Sequence, residues 1–125
     1  MSNYDSNNVF AKIIRGEIPS KKVYEDEKIL AFEDISKAAP THILVIPKGQ
    51  YVSFDDFMHK ASDKEVVDFF RKVREISNSY GLGKSGYRLI TNNGGDASQS
   101  VPHFHIHILG GKKLGGLIPG DKLIR

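Results

Sequence analysis

The positions of apolar residues along the chain predict two helices. A short helix begins after Asn7 or Asn8, either of which suits an N-cap, and its apolar residues recur at helical spacing: Val9, Phe10, Ile13 and Ile14. A long helix begins at Ser62, which forms a capping box with Glu65, and it ends before Gly81. Its apolar residues lie three and four positions apart, as in a helix that covers a core: Val66, Phe69, Phe70, Val73 and Ile76.

Shorter apolar runs between turn residues predict five strands. Two of them, Val23-Tyr24 and Ile29 to Phe32, flank a charged turn and indicate a hairpin. The aliphatic run from Ile43 to Ile46 fits a central strand, and two further strands are predicted from Tyr87 to Thr91 and from Val101 to Leu109. Short connections between strands favour antiparallel pairing. We therefore expect an α+β fold with a five-stranded antiparallel sheet, one long helix and a short N-terminal helix.

The length and charge of the chain fit a single domain. With 125 residues it falls within the commonest domain size, so we expect one domain over residues 1–125, with residues 1–7 flexible and residues 112–125 as a C-terminal tail. The 18 Lys and Arg and the 15 Asp and Glu are interspersed, without the basic stripe typical of nucleic-acid binding. Cysteine is absent, which excludes disulfides and thiolate metal sites.

Neither end of the sequence suggests a targeting or membrane segment. The first ten residues lack a charged start followed by an apolar run, and no apolar stretch approaches the roughly 18 residues of a membrane helix. We therefore expect a cytoplasmic protein that binds neither membranes nor nucleic acid.

The stretch VPHFHIHIL contains three of the five histidines, at alternate positions. On a strand, His103, His105 and His107 share one face, because side chains alternate between the two sides of a sheet. The residues between them share the other face and are expected to pack under the long helix: Phe104, Ile106 and Ile108. Chance alternation of surface histidines is the simplest alternative, and it fits the isolated His59 better than it fits three residues in register.

Metal binding is a second interpretation of these histidines. His-x-His on a strand is a common ligand pair, and His42 on the neighbouring predicted strand supplies a third imidazole. His103 and His107 are about 13 Å apart on an extended strand, so the outer two do not reach the same ion. Leu109 and the two glycines after it stand where a further carboxylate ligand is often found. The residues alone leave this alternative open.

Nucleophilic catalysis at phosphorus is the third interpretation. A neutral imidazole is a good nucleophile near neutral pH, and neighbouring imidazoles can bind phosphoryl oxygens. The preceding loop, NNGGDASQSV, has glycines and small residues whose backbone N–H groups can approach an anion, and Gln99 and Ser100 add side-chain donors. The loop and the histidines together favour a phosphate-handling site.

These residues also resemble a known family. SQSVPHFHIHIL is similar to the signature of the histidine triad family, His-φ-His-φ-His-φ-φ, where φ is apolar, and residues 9–48 resemble the N-terminal half of its Hint branch, the purine nucleoside phosphoramidases. The resemblance covers nearly all of residues 9–120. It implies a homodimer in which two protomers form a ten-stranded sheet, a purine nucleotide substrate, and neither a cofactor nor a metal.

The resemblance also implies a role for each matching residue. His105 matches the nucleophile, His103 and His107 match the histidines that support it and bind the phosphate, and His42 matches a further histidine near the site. The other matching positions contact the ribose and base or the phosphate and leaving group: Asp34, Ile35, Asn92, Ser98, Gln99 and Ser100. For Asp34 and Asn92, a role as turn caps is the alternative.

The implied reaction is hydrolysis of a purine nucleoside 5′-phosphoramidate, of the AMP-NH₂ or AMP-lysine type, through a covalent nucleotidyl-histidine. Three alternatives remain: a dinucleoside polyphosphate hydrolase of the same family, a nucleotide-binding module that acts through protein partners, and a metal-dependent hydrolase. The sequence departs from the family in two places. Ala97-Ser98 replaces a frequent Gly-Gly, and the C-terminal tail has no tryptophan.

Overall fold

A computed structural model describes residues 3–123. Residues 1–2 of the expected flexible N-terminal segment and residues 124–125 of the expected C-terminal tail lie outside the described residues. In chain order the elements are α1 (Val9–Ile14), β1 (Lys22–Glu25), β2 (Ile29–Glu33), β3 (Thr41–Pro47), α2 (Phe54–Lys60), α3 (Asp63–Ser79), α4 (Leu82–Ser85), β4 (Tyr87–Ile90) and β5 (Ile106–Gly110).

The five strands form one antiparallel sheet with the order β1-β2-β3-β5-β4. The predicted α+β architecture is therefore confirmed. β3 is the central strand, as its uninterrupted aliphatic sequence indicates, and it pairs with β2 on one side and with β5 on the other. β1 and β4 are the edge strands, and each has a single neighbour.

The sheet has an apolar core on each face. One core is covered by α2 and α3 and includes the three apolar residues of the histidine stretch, Phe104, Ile106 and Ile108, beside Phe57 and Phe69. This result confirms the predicted packing of that set against the long helix. The core on the opposite face is covered by α1 and contains these buried residues: Phe10, Ile13, Leu30, Phe32, Leu44 and Ile46.

Side-chain caps determine where the helices begin. Oδ1 of Asn8 accepts a hydrogen bond of 2.9 Å from the Ala11 amide, so Asn8 is the N-cap of α1. Oγ of Ser62 accepts one of 3.1 Å from the Glu65 amide, which confirms the predicted start of α3. Among the described residues, no helix is long and apolar enough to cross a membrane.

The histidine strand is shorter than predicted. β5 begins at Ile106, so that His103, which lies in a bend, and His105 precede the strand and take no part in its ladder. The ladder with β3 ends at the pair Val45 and Ile106, and the next amide donor, that of Phe104, bonds to the Tyr51 carbonyl at 2.8 Å instead. The chain leaves the sheet because this contact with the segment before α2 replaces strand pairing.

The segment at the start of the described chain makes several hydrogen bonds and packing contacts. The Asp5 carbonyl accepts hydrogen bonds from the backbone amide and the side chain of Asn8, and Oδ1 of Asp5 accepts one from the Asn7 amide. Tyr4 reaches the histidine stretch, where its ring packs against His103. These contacts hold the segment before α1 on the same face of the sheet as the triad.

Candidate active site

His42 and His107 meet across the central strands. Leu44 lies directly opposite His107 in the β3–β5 register, and His42 is two residues from Leu44, so both histidines project from the face covered by α1. Nε2 of His42 lies 2.8 Å from Nδ1 of His107. The structure therefore places the predicted family histidine in direct contact with the triad.

The hydrogen bonds of His42 fix which nitrogen of each ring carries the proton. The Ala38 amide donates to Nδ1 of His42 at 3.0 Å, so this nitrogen is an acceptor and the proton of the neutral ring is on Nε2. His42 then donates to Nδ1 of His107. As a neutral ring, His107 must carry its own proton on Nε2, which makes that nitrogen a donor.

The same argument applied to His105 gives the opposite result. Its Nδ1 lies 2.7 Å from the His103 carbonyl, which can only accept, so Nδ1 carries the proton. Nε2 of His105 is then unprotonated and has an available lone pair, and this nitrogen has no hydrogen-bond partner within residues 3–123. The backbone at this position is held by Thr91, whose hydroxyl donates to the His105 carbonyl at 2.8 Å. His105 thus offers a fixed, unprotonated nitrogen.

His103 has a different environment from the other two triad histidines. It is fully buried, and its Nε2 donates to the Pro47 carbonyl at 2.7 Å. Its Nδ1 lies 2.6 Å from the hydroxyl of Tyr4. Both ring nitrogens therefore have partners within the protein, and His103 is absent from the lining of the adjacent cavity. Direct phosphate binding by His103, as the resemblance implied, does not fit this geometry.

Burial keeps all four imidazoles neutral near physiological pH. It lowers the pKa of His103 to about 4, while the hydrogen bond to the Pro47 carbonyl acts in the opposite direction. It also lowers the pKa of His107 to about 4, and the neighbouring His105 and His42 contribute in the same direction. Burial likewise lowers the pKa of His105 and of His42, while Asp34 acts to raise both. A neutral His105 is the form that can act as a nucleophile.

A cavity of about 390 Å³ opens beside these rings, within the size range of small-ligand sites. Its polar residues include most of those predicted to bind the nucleotide: Asp34, Asn92, Ser98, Ser100, His105 and His107. Its apolar wall comes from α1 and the segment after it, from β2 and the turn after it, and from β3: Val9, Phe10, Ile13, Ile18, Phe32, Ile35 and Leu44. Of these, Ile35 is 98% exposed, which is unusual for an isoleucine and leaves it available to a ligand.

The contribution of α1 to this cavity was not predicted from the sequence. One signal was present, because the apolar pairs 9–10 and 13–14 cover more of a short helix than one buried face requires. Val9 is accordingly 39% exposed at the cavity, whereas Phe10 packs edge-on against His105 with the ring centroids 4.9 Å apart. α1 therefore serves both the core and the cavity.

The loop before the triad is held by Gln99. Its Oε1 accepts from the Gly94 amide at 2.9 Å, and its Nε2 donates to the carbonyls of Val52 and Val101. Gly94 has φ of 84° and ψ of −173°, a conformation almost restricted to glycine. Because these bonds occupy its amide and it does not line the cavity, Gln99 shapes the loop and, contrary to our expectation, does not face the ligand site.

Asp34 combines the two roles considered for it. Its Oδ1 accepts a hydrogen bond of 2.8 Å from the Ser36 amide, as a turn cap does. Its Oδ2 lies 3.4 Å from Nε2 of His42, at the edge of the cavity. The carboxylate therefore adds negative charge beside the imidazoles and retains acceptor capacity for a ligand hydroxyl.

The groups able to ligate a metal differ from those considered from the sequence. One ligand atom each from Asp34, His42 and His107 lies within 4.8 Å of the others, whereas His103 and His105 are outside this group. In the hydrogen-bonded arrangement, Nε2 of His42 carries a proton and donates a hydrogen bond to Nδ1 of His107. A cation at this position therefore has to displace that hydrogen bond and change the tautomer of His42.

An unprotonated imidazole nitrogen and a neighbouring N–H donor beside one cavity form a type of site that can attack a bound phosphoryl group. Comparison with known proteins agrees, since the HIT domain profile matches residues 15–114. The chain belongs to the histidine triad (HIT) family of nucleotide hydrolases.

Curated relatives span nearly the same length. An uncharacterized 13.2 kDa HIT-like protein of Azospirillum brasilense is 56% identical over 115 residues, which is 92% of this chain and 94% of the relative. The purine nucleoside phosphoramidase of Escherichia coli K12 is 41% identical over 112 residues, 88% of this chain and 92% of the relative. A 14 kDa zinc-binding protein of Zea mays is 44% identical over 115 residues, 88% of this chain and 86% of the relative.

Solved structures share the fold. A histidine triad protein from Clostridium difficile has a TM-score of 0.80 at 43% identity and covers 94% of this chain and 100% of its own. The histidine triad nucleotide-binding protein from Candida albicans has a TM-score of 0.79 at 31% identity, covering 94% of this chain and 87% of its own.

Proposed function

We propose that this protein hydrolyses purine nucleoside 5′-phosphoramidates through a covalent nucleotidyl intermediate on His105. The observation that carries the proposal is the tautomer of His105, because the His103 carbonyl holds the proton on Nδ1 and leaves Nε2 unprotonated beside the cavity. The phosphoramidase activity of the E. coli relative supports the choice of reaction.

In the first step, Nε2 of His105 attacks the α-phosphorus and the P–N bond to the leaving amine breaks. The amine must gain a proton as it leaves. This proton comes from solvent water, because a neutral imidazole that gave up its only N–H would become an anion. His107 supports the step through a hydrogen bond from its Nε2–H to the phosphoryl group at the same cavity, while its Nδ1 is bonded to His42. Ser100 lies at the cavity and fits the position beside the leaving atom.

In the second step, water attacks the phosphorus of the nucleotidyl-histidine and the N–P bond breaks. Nε2 of His105 recovers its lone pair and the nucleoside monophosphate is released. The proton lost by the water passes to solvent and balances the one taken up by the amine, so that His107 stays neutral throughout. No redox change and no further reactant are required.

The shape and chemistry of the cavity support a nucleoside as the bound group. The apolar wall, which includes Phe10, Phe32 and the exposed Ile35, provides apolar contacts for a base. Asp34 can offer a carboxylate oxygen to ribose hydroxyls, and Asn92 and Ser98 line the same cavity with polar groups that can bind phosphate oxygens. Phosphoramidate and polyphosphate substrates share this nucleotide portion and differ in the leaving group.

The proposal includes a homodimer with a ten-stranded sheet. β4 is an edge strand, so one side of its backbone is free to pair. Leu89 lies opposite Ile108 on the face that forms the core under α3, yet it is 45% exposed because no strand lies beyond it. Tyr87 on the same strand is 36% exposed. An apolar edge of this kind supports pairing with a second copy.

The test compares two substrates and one variant. Adenosine 5′-phosphoramidate and a diadenosine polyphosphate are incubated separately with the protein, and AMP formation is followed by chromatography. We expect faster cleavage of the phosphoramidate and loss of most turnover in His105→Ala. Intact-protein mass spectrometry of rapidly quenched samples should show a nucleotidyl adduct in the wild type only.

His59→Ala is the matched control, because His59 is exposed on α2 and distant from the cavity lining. It should retain wild-type turnover. Wild-type rates in His105→Ala, with a native circular dichroism spectrum, would remove His105 as the nucleophile. Faster cleavage of the polyphosphate would favour the other branch of the family, and nucleotide binding without turnover would favour the binding module.

A further inference from the structure

The hydroxyl of Tyr4 makes a hydrogen bond of 2.6 Å with Nδ1 of His103, although 99 residues separate them in sequence. The two rings also pack edge to face, with centroids 5.5 Å apart and an interplanar angle of 72°. Tyr4 lies outside the cavity lining. Its contact is therefore with the buried support of the site and not with the ligand position.

The direction of this hydrogen bond follows from the other partner of His103. Nε2 faces the Pro47 carbonyl at 2.7 Å, and a carbonyl can only accept, so Nε2 carries the proton. In a neutral ring Nδ1 is then an acceptor, and the Tyr4 hydroxyl must donate. The complete burial of His103 favours this neutral form.

The His103 carbonyl connects this arrangement to the nucleophile. It accepts the hydrogen bond of 2.7 Å from Nδ1–H of His105, which sets the tautomer and the orientation of that ring. The backbone amide of His103 bonds to the Val101 carbonyl at 2.8 Å in a tight turn, outside any strand ladder. Residue 103 lies outside the described β-ladders, so the contacts of its side chain with Tyr4 and Pro47 contribute to its position together with these backbone bonds.

The segment that carries Tyr4 is itself fixed. Asn8 is 6% exposed and caps α1. Its backbone amide and its side-chain amide both donate hydrogen bonds to the Asp5 carbonyl. Phe10, two residues further on, packs edge-on against both His103 and His105. The start of the chain therefore presents the Tyr4 hydroxyl from an ordered turn.

We propose that Tyr4 is a positioning residue for His105, acting through the hydrogen bond that its hydroxyl donates to His103. This inference rests on the proposed function, in which His105 is the nucleophile. Removal of the hydroxyl leaves Nδ1 of His103 buried without a donor, so the ring is free to reorient in search of one. The His103 carbonyl then shifts, and the lone pair of His105 is aimed less accurately at the phosphorus.

The first test is spectroscopic and needs no substrate. Long-range ¹H–¹⁵N correlation spectra of the wild-type protein at neutral pH should show His103 as the neutral Nε2–H tautomer with a hydrogen-bonded Nδ1. In Tyr4→Phe, which keeps the ring, the Nδ1 resonance should move downfield toward that of an unbonded nitrogen. A protonated or Nδ1–H form of His103 in the wild type overturns the proposal, whatever the activity of the protein.

The second test is kinetic. Tyr4→Phe should lower kcat for the phosphoramidate about tenfold, since one hydrogen bond behind the nucleophile is lost. KM should change less than about twofold, because neither Tyr4 nor His103 lines the cavity. Tyr24→Phe is the matched control, as its hydroxyl bonds to Asp26 on the far edge of the sheet, and it should leave kcat unchanged.

A double-mutant cycle separates positioning from general destabilisation. In a His103→Ala background, Tyr4→Phe should have no further effect on kcat, because the connection is already broken. An additive effect, an equal loss in Tyr24→Phe, or a Tyr4→Phe variant with wild-type kcat and an unshifted Nδ1 resonance overturns the inference. Absence of phosphoramidate turnover in the wild type would instead refute the proposed function, and the spectra would still decide the hydrogen bond.

Discussion

Nε2 of His42 donates a 2.8 Å hydrogen bond to Nδ1 of His107, across 65 residues of sequence and between the two central strands. The bond fixes Nε2 of His107 as a donor at the cavity. His42→Ala should therefore lower kcat about 10- to 100-fold while the protein still folds, because His107 can then adopt the other tautomer. Steady-state kinetics of the purified variant measure the loss.

His42→Gln provides a matched comparison for this prediction. The Gln amide nitrogen can reach the position of Nε2 of His42 and donate to His107, so this variant should recover part of kcat. Equal activity of the alanine variant and the wild type would show that the hydrogen bond has no role in turnover.

Ser98 has a left-handed backbone conformation, with φ of 59° and ψ of 41°, and it is the one non-glycine residue with positive φ between residues 3 and 123. This conformation is costly for a residue with a Cβ. Ser98→Gly should therefore stabilise the protein by about 0.5–1 kcal/mol in urea unfolding. Ala97→Gly, at a position without positive φ, should not; a stabilisation of similar size there would refute the strain argument.

The buried histidines make stability dependent on pH. His103 is buried as a neutral ring, and its pKa falls from the ordinary 6.5 to about 4 on folding. As pH falls, the unfolded chain therefore binds a proton before the folded protein does, so acid favours unfolding. This contribution is intact above about pH 6.5 and is lost progressively toward about pH 4.

Urea unfolding at about pH 7.5 and pH 5 measures this effect. The free energy of unfolding should fall by about 2 kcal/mol through His103 alone, with further losses from the other buried imidazoles. The difference should be smaller by that amount in His103→Gln and unchanged in His59→Ala. A wild-type protein equally stable at both pH values would contradict the predicted burial of neutral rings.

The group formed by Asp34, His42 and His107 leads to a prediction about metal ions. Exhaustive chelation should leave turnover unchanged, because the proposed steps use only imidazole groups. Excess Zn²⁺ should inhibit, since binding at these residues displaces the hydrogen bond between the two histidines. The inhibition should weaken in His42→Ala. Loss of activity on chelation, with recovery on addition of zinc, would instead establish a metal-dependent reaction.

The apolar edge of β4 gives a prediction about assembly. Leu89→Lys places a charge on the exposed edge and should convert the proposed dimer to a monomer, which light scattering coupled to size exclusion detects. Met58→Lys is the control, because Met58 is 44% exposed on α2 and should not affect assembly. A wild-type monomer at micromolar concentration would contradict the ten-stranded sheet.

Much of the fold follows from patterns that extend over a few residues. The spacing of apolar side chains in α3 and the cap at Ser62 located that helix, and alternation in the histidine stretch assigned Phe104, Ile106 and Ile108 to the core. Prediction failed where a distant contact intervened. β5 is short because the Phe104 amide bonds to Tyr51, and no local pattern contains that information.

The same distinction between local patterns and distant contacts applies to the candidate site. The sequence was enough to predict which face of the histidine stretch carries the imidazoles, because side chains alternate along an extended backbone. The tautomer and protonation state of each imidazole follow from tertiary contacts. His103 is buried beneath Tyr4, His105 keeps a free Nε2, and His107 accepts from His42, since tautomer and pKa depend on burial and on partners that folding brings from remote parts of the chain.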